Sequence, residues 1–243
     1  MSEINILILA GMAGSATLVG VIFGGLFKKT KKNIIFSASF AASLMIFISV
    51  FELIPTAARD LDKKSLFFWV MLGVFVIWIA NWIIPHLHSV REIKKCKDRC
   101  LVRMSYLITA GLVLHDFPEG FAIPSSFSHS ESLGLLVVIA AFIHNIPEGY
   151  ILAMAHTKTG DSNFCYKSAG FSVLATFLGA ILGIGLLTGF KNLNPIFLSL
   201  AAGTMLFIAL HELLPESFKY RDIRTFSSGI GIAGLVYFAI GLL

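Results

Sequence analysis

Two short stretches carry groups that can do chemistry. HDFPEG spans residues 115–120 and HNIPEG residues 144–149, each inside an otherwise apolar run. Each supplies an imidazole and, four residues on, a carboxylate: His115 with Glu119, His144 with Glu148. On a helix, residues i and i+4 project from one face. Asp116 and Asn145 follow the histidines about 100° round the helix, where they can flank the same cavity. Imidazole with carboxylate suits Zn²⁺, Fe²⁺ and Mn²⁺. Oxygen-only sites for Mg²⁺ or Ca²⁺ would not spend two histidines. Pro118 and Pro147 remove the amides that would reach the carbonyls of Leu114 and Ile143, so each helix kinks and frees a carbonyl beside its histidine. Three carboxylates this close cannot all stay ionised in an empty, low-dielectric cavity. Protons are then shared among them, and metal binding should release them. A proton relay without metal uses the same residues and stays open.

The elements that must hold these residues are membrane helices. Of the 243 residues 56% are hydrophobic and only 14% charged, with mean hydropathy +0.84. Soluble domains run nearer 45–50% and ~25%. The expected fold is all-α and polytopic, with eight spans of about 20 apolar residues: 4–27, 33–58, 65–85, 104–124, 132–155, 168–190, 195–215 and 226–243. These windows are apolar all round, unlike the alternating strands of a membrane β-barrel. The first window lacks a basic segment before it, and KKTKK follows it, so it reads as a retained helix and not a signal peptide. No linker or second domain is visible; residues 1–243 read as one domain. Both histidines fall about 16–18 Å into their spans at 1.5 Å per residue, near the middle of a ~30 Å core. A carboxylate at that depth costs on the order of 2.5–3.5 kcal/mol, and such residues mark pathways or sites.

Lys and Arg alternate along the chain. Connections one, three, five and seven hold four, six, two and three of them; connections two and six share Arg59, Lys63, Lys64 and Lys191, and connection four has none. The positive-inside rule makes the odd connections cytoplasmic and both termini external, in what is expected to be the plasma membrane. The basic runs read as loops near anionic headgroups, with no nucleic-acid role. Cys96, Cys100 and Cys165 fall in or beside cytoplasmic connections, so no disulfide is expected.

An internal repeat is legible. MIFISVFELIP (45–55) and MLFIALHELLP (205–215) align without gaps in spans two and seven, which run in opposite directions. HDFPEG and HNIPEG lie in spans four and five, also antiparallel. This is the pattern of a 3 + 2 + 3 inverted repeat, with alternating access by one repeat unit moving against the other.

At these residues the chain resembles the ZIP family of metal-ion transporters, and within it the compact bacterial zinc-uptake branch. That family carries His-Asn-x-Pro-Glu-Gly motifs in its fourth and fifth spans, and FELIP in span two and HELLPES in span seven also match its pattern. The resemblance covers the whole chain and implies eight spans in a 3 + 2 + 3 arrangement. It implies a principal metal site at His115, Glu119, His144 and Glu148. Asp116 and Asn145, with both glutamates shared, correspond to the second site of binuclear relatives. The family usually has Asn where Asp116 stands. Binuclear relatives carry a glutamate in span six where this chain has Thr176, which favours a single tightly held ion. Glu52, His211 and Glu212 are further pathway candidates, Glu52 toward the external side and the other two toward the cytoplasm. Helix-end polar groups near headgroups would look the same.

The remaining candidates are weaker. His86, His88, Cys96 and Cys100 share the third connection, as a metal-capture loop or a plain one. His129 and His156 sit in or beside loops and read as ordinary. Gly11, Gly14, Gly20, Gly24 and Gly25 suit close packing of span one. Trp69, Trp78 and Trp82 fit packing or interfacial anchoring.

The expected activity is uptake of a divalent transition metal into the cytoplasm. Zn²⁺ comes first, with Fe²⁺, Mn²⁺ and Cd²⁺ open. The ion is cargo, so no prosthetic group is called for, and the partners are the lipid bilayer and the ion, with a homodimer left open. An intramembrane metal-dependent hydrolase is the alternative, although H-E-x-x-H is absent; a passive metal channel would use the same residues.

Overall fold

A computed structural model describes residues 1–26, 30–83, 98–156, 162–219 and 221–242. Eight long helices run through these residues: α1 (Glu3–Leu26), α2 (Lys31–Ala57), α3 (Lys63–Ile83), α4 (Asp98–His129), α5 (Glu131–His156), α6 (Ser162–Gly189), α7 (Asn194–Phe218) and α8 (Ile223–Gly241). No strand occurs among the described residues. The chain is an all-α polytopic membrane protein. Seven of the eight helices are long and apolar enough to cross a bilayer. The exception is α4, the least apolar of the eight, because it carries His115, Asp116 and Glu119 between α5, α6 and α7. The candidates His86, His88 and Cys96 lie outside the described residues.

Outer and inner helices differ in the way lipid requires. Phe67, Phe68, Phe75, Trp78 and Trp82 of α3, and Leu235 and Phe238 of α8, are exposed. A water-soluble monomer does not show an apolar surface of this extent. The centre is formed by α2, α5 and α7, where Leu44, Met45, Ile48, Leu198 and Met205 are buried.

Packing follows a pseudo-twofold. α4 lies on α6 as α5 lies on α1; α3 lies on α7 as α8 lies on α2; α4 meets α7 as α5 meets α2. The local geometry repeats too. α2 and α7 each widen into one π-helical turn, Ser49–Leu53 and Ala209–Leu213, 160 residues apart and two residues before Pro55 and Pro215. Asp62 caps α3 through Ser65, and Asp222 caps α8 through Thr225. The hydroxyl of Ser65 holds the Asp62 carboxyl below the usual range, and that of Thr225 does the same for Asp222.

The repeats interlock and do not form separate bodies. α1 contacts α5 and α6 far more than α2 among the described residues, and α3 and α8 each pack on a helix of the opposite repeat. The helices instead sort into α1, α4, α5 and α6 on one side and α2, α3, α7 and α8 on the other.

Candidate metal centre

The prolines at 118 and 147 lie inside continuous helices, and the polar motif residues around them face the interior. His115, Asp116, Glu119, His144, Asn145 and Glu148 are all buried, none more than 6% exposed. The histidine–carboxylate contacts run between helices and not along them. His115 Nε2 sits 3.0 Å from both oxygens of Glu148. His144 Nε2 sits 3.3 Å from Glu119 Oε2. Antiparallel packing sets each imidazole against the other helix's carboxylate, and the rings lie 6.3 Å apart at 24°.

The tautomer of His144 is fixed. Its Nδ1 is 2.8 Å from the carbonyl of Ala140. A carbonyl only accepts, so Nδ1 donates, and in the neutral ring Nε2 keeps its lone pair. This is the backbone-anchored arrangement that metal-binding histidines use. Asn145 Nδ2 donates to Glu119 Oε1 at 3.0 Å and to the carbonyl of Ala13 at 3.1 Å. Ser172 Oγ donates to Asp116 Oδ2 and stands 3.3 Å from Thr17 Oγ1.

Three buried atoms at the centre have no hydrogen-bond partner: His115 Nδ1, Asp116 Oδ1 and Asn145 Oδ1. Unpaired polar atoms in a low-dielectric interior cost about 1–3 kcal/mol each, and a cation or water would relieve that cost. His115, His144 and Glu148 can place one atom each within 4.8 Å of one another, and so can His115, Asp116 and Glu119. Ligands about 2.0–2.2 Å from a tetrahedral Zn²⁺ stand roughly 3.3–3.5 Å apart. The imidazole–carboxylate separations are therefore already close to those of a bound ion.

The other candidates are placed elsewhere. Thr176 is buried on α6, but its hydroxyl donates to the Ser172 carbonyl at 3.3 Å and so is turned to its own helix. Glu52, in the π turn of α2, accepts from Tyr237 Oη at 2.6 Å. His211 is exposed and stacks on Phe207 at 4.7 Å. Glu212 shares its π turn. None of Glu52, His211 and Glu212 belongs to the groups of described His, Cys, Asp and Glu residues that can share an ion.

Motif reading missed Thr17, Ser172 and the carbonyls of Ala13 and Ala140. A signal for the first was present. TLVGVIFG (17–24) and TFLGAILG (176–183) repeat the same Thr-x-x-Gly-x-x-x-Gly. Their glycines are where helices touch: a Cβ on Gly20 would lie 2.0 Å from the Ile146 carbonyl oxygen, and one on Gly179 2.2 Å from that of Phe117. Of the other span-one glycines, Gly24 packs closely on Ala153, whereas Gly25 meets nothing within 4 Å.

A sequence profile of the ZIP zinc transporters matches residues 86–243. The zinc transporter ZupT of Streptococcus mutans serotype c is 34% identical, over 97% of this chain and 96% of its own length. The ZupT proteins of Salmonella newport and Salmonella typhimurium are each 32% identical over 86% of this chain and 85% of theirs. This chain belongs to the ZIP zinc-transporter family. Within this ZIP chain both HDFPEG and HNIPEG fall in the matched region, as do the π turn of α7 and the α6 wall with Ser172 and Thr176.

Proposed function

We propose that the chain carries a divalent transition metal, Zn²⁺ first, across the plasma membrane into the cytoplasm as a single transporter domain. The ion binds between α4 and α5 on His115, Glu119, His144 and Glu148, with Asp116 and Asn145 beside it. One observation carries this reading: two imidazole–carboxylate pairs from antiparallel, proline-interrupted helices face one another in a buried layer. The relatives' named activity, zinc transport, supports passage over hydrolysis.

The donor set explains both capture and release. Each carboxylate stabilises a dehydrated cation, and exchanging the imidazole–carboxylate bonds for metal bonds costs little movement. Protons shared by the empty cluster leave as the ion arrives. A single ion is favoured because both groups of potential ligands draw on His115. The hydroxyl of Thr176 is also engaged with its own backbone. External termini are supported by the N-terminal ammonium, 2.9 Å from Glu131 at the α4–α5 connection, the connection without Lys or Arg.

The test is ⁶⁵Zn²⁺ uptake into proteoliposomes. His144→Ala and Glu148→Ala should each fall to background while remaining folded. Normal uptake in both would end the proposal.

A further inference from the structure

A cleft of about 390 Å³ opens between α1, α2 and α5, lined by Phe23, Ser37, Phe40, Ile143, Pro147 and Tyr150 among others. Its wall on α5 lies beside the face that carries His144 and Glu148. Pro147 has no amide hydrogen for the Ile143 carbonyl, and both residues line the cleft. At the cleft's far end the Asn33 amide donates to Tyr150 Oη at 3.1 Å, next to Lys31 and Lys32 at the start of α2. The cleft thus runs from beside the α5 face that bears His144 and Glu148, past the carbonyl that Pro147 leaves without its amide, to the Asn33 amide and Tyr150 phenol at its cytoplasmic end.

The pseudo-twofold supplies the comparison. The registers that relate Asp62 to Asp222 and His144 to His115 also relate Ser37 to Phe197 and Tyr150 to Phe121. At the mirrored place, between α4 and α7, the Phe121 and Phe197 rings meet edge to face at 5.1 Å. Phe197 is buried. Gly183 of α6 backs this contact, since a Cβ there would approach the Phe121 carbonyl oxygen at 3.2 Å and its ring at 3.4 Å. Where the cytoplasmic end has a serine beside a tyrosine, the external end has two phenylalanines in contact. Both places lie on the boundary between the two four-helix groups.

We infer that the Phe121–Phe197 contact is the external gate of the ion path and that the cleft between Ser37 and Tyr150 is its cytoplasmic release route, so that this conformation faces inward. The inference rests on the proposed uptake only for the direction of flow. Reaching the outward-facing conformation requires α4 and α7 to part at Phe121 and Phe197, and α5 to close on α2 at Tyr150 and Ser37.

Thiol labelling tests the geometry without transport. Ile143→Cys and its mirror Leu114→Cys are placed separately in a chain whose Cys96, Cys100 and Cys165 are serine. A membrane-impermeant maleimide is then applied from either side. An outward-facing minor state of about 0.1–10% makes Leu114→Cys react from outside at least roughly tenfold slower than Ile143→Cys reacts from the cytoplasm. Adding Phe197→Ala speeds the former by about tenfold, as expected for opening a minor state, and leaves the latter unchanged. Equal rates for the two thiols, or no response to Phe197→Ala, overturn the gate.

A second arm joins Phe121→Cys to Phe197→Cys with a cleavable bifunctional thiol reagent. Zinc uptake should stop on joining and return on cleavage. Uptake that persists in fully joined protein overturns the gate. Absence of uptake before joining counts against the transport reading, and the labelling rates then decide the gate alone.

Discussion

The two halves of the centre share a backbone and differ in their polar chemistry. In one, α4 lies on α6 and Asp116 takes a hydrogen bond from the Ser172 hydroxyl. In the other, α5 lies on α1 and Asn145 donates to the carbonyl of Ala13 and to Glu119. Ser172 and Ala13 are mirrored positions, as are Thr176 and Thr17. An ionisable carboxyl held by a hydroxyl therefore has as its counterpart a neutral amide pinned to backbone. The backbone repeat sets where the motif side chains stand, and single substitutions on it set how many ionisable groups the cluster holds and how firmly each carboxylate is aimed. Glu119 is fixed by His144 and Asn145 together, whereas Glu148 is met by His115 alone among the described contacts.

The largest effect tests what the halves share. A Cβ on Gly120 would lie 1.9 Å from the Thr176 carbonyl oxygen, and one on Gly149 2.0 Å from that of Thr17. Each carbonyl is backbone and cannot yield without moving a helix. Gly120→Ala and Gly149→Ala should each abolish folded, monodisperse protein on size exclusion, and to the same degree. A well-folded Gly149→Ala beside an unfolded Gly120→Ala would break the equivalence.

The next effect separates the halves. Asn145→Asp turns an acceptor toward the Ala13 carbonyl and puts a second charge beside Glu119. The Ala13 carbonyl keeps its bond within α1 but loses this donor, and a second carboxylate meets Glu119, so the thermal stability of the metal-free protein should drop. Asp116→Asn keeps an oxygen for Ser172 to donate to, and stability should change little. Equal losses in calorimetry for the two variants would mean that the halves are not distinguished as described.

A smaller step concerns the hydroxyl. Removing a group that orients a ligand costs roughly 10–100-fold in metal affinity. Ser172→Ala should approach the lower end of that range, because Asp116 stands beside the four proposed ligands and is not one of them. Titration calorimetry with Zn²⁺ would show it, and an unchanged affinity would detach Asp116 from binding.

The smallest effect lies far from the ion. Asp222→Ala removes the cap of α8 and should lower Tm slightly with zinc uptake unchanged. Its carboxyl is held below its unfolded value. The contribution is thus present above the unfolded pKa and is lost as pH falls through the folded one. The Tm difference between wild type and variant should accordingly vanish in acid, and a difference that grew there would contradict the assignment.

How much of this was legible in the sequence depends on which residues carried it. His115, Glu119, His144 and Glu148 announce themselves because charge is costly at mid-membrane and because the motif occurs twice. The repeat of α2 and α7 was equally plain, since Glu52–Pro55 and Glu212–Pro215 match in register. The pairing of the four was not legible. The i, i+4 rule places His and Glu on one face, but only the packing of two antiparallel helices sets His115 on Glu148 and His144 on Glu119. The π turns had no local signature, since residues 49–53 and 209–213 read as ordinary helix. Thr17 and Ser172 are small polar residues among many, and their role follows from helix contacts that no single window contains. The interlocking of the repeats was invisible for the same reason.

The central claim is that His115, Glu119, His144 and Glu148 grip one cation together. Zinc K-edge X-ray absorption on the zinc-loaded protein, with metal content measured on the same sample, tests it most directly. The account predicts one ion per chain with two imidazole nitrogens at about 2.0–2.1 Å and carboxylate oxygens at about 2.0–2.2 Å. A spectrum without imidazole, or one unchanged in His115→Ala and His144→Ala, would contradict it.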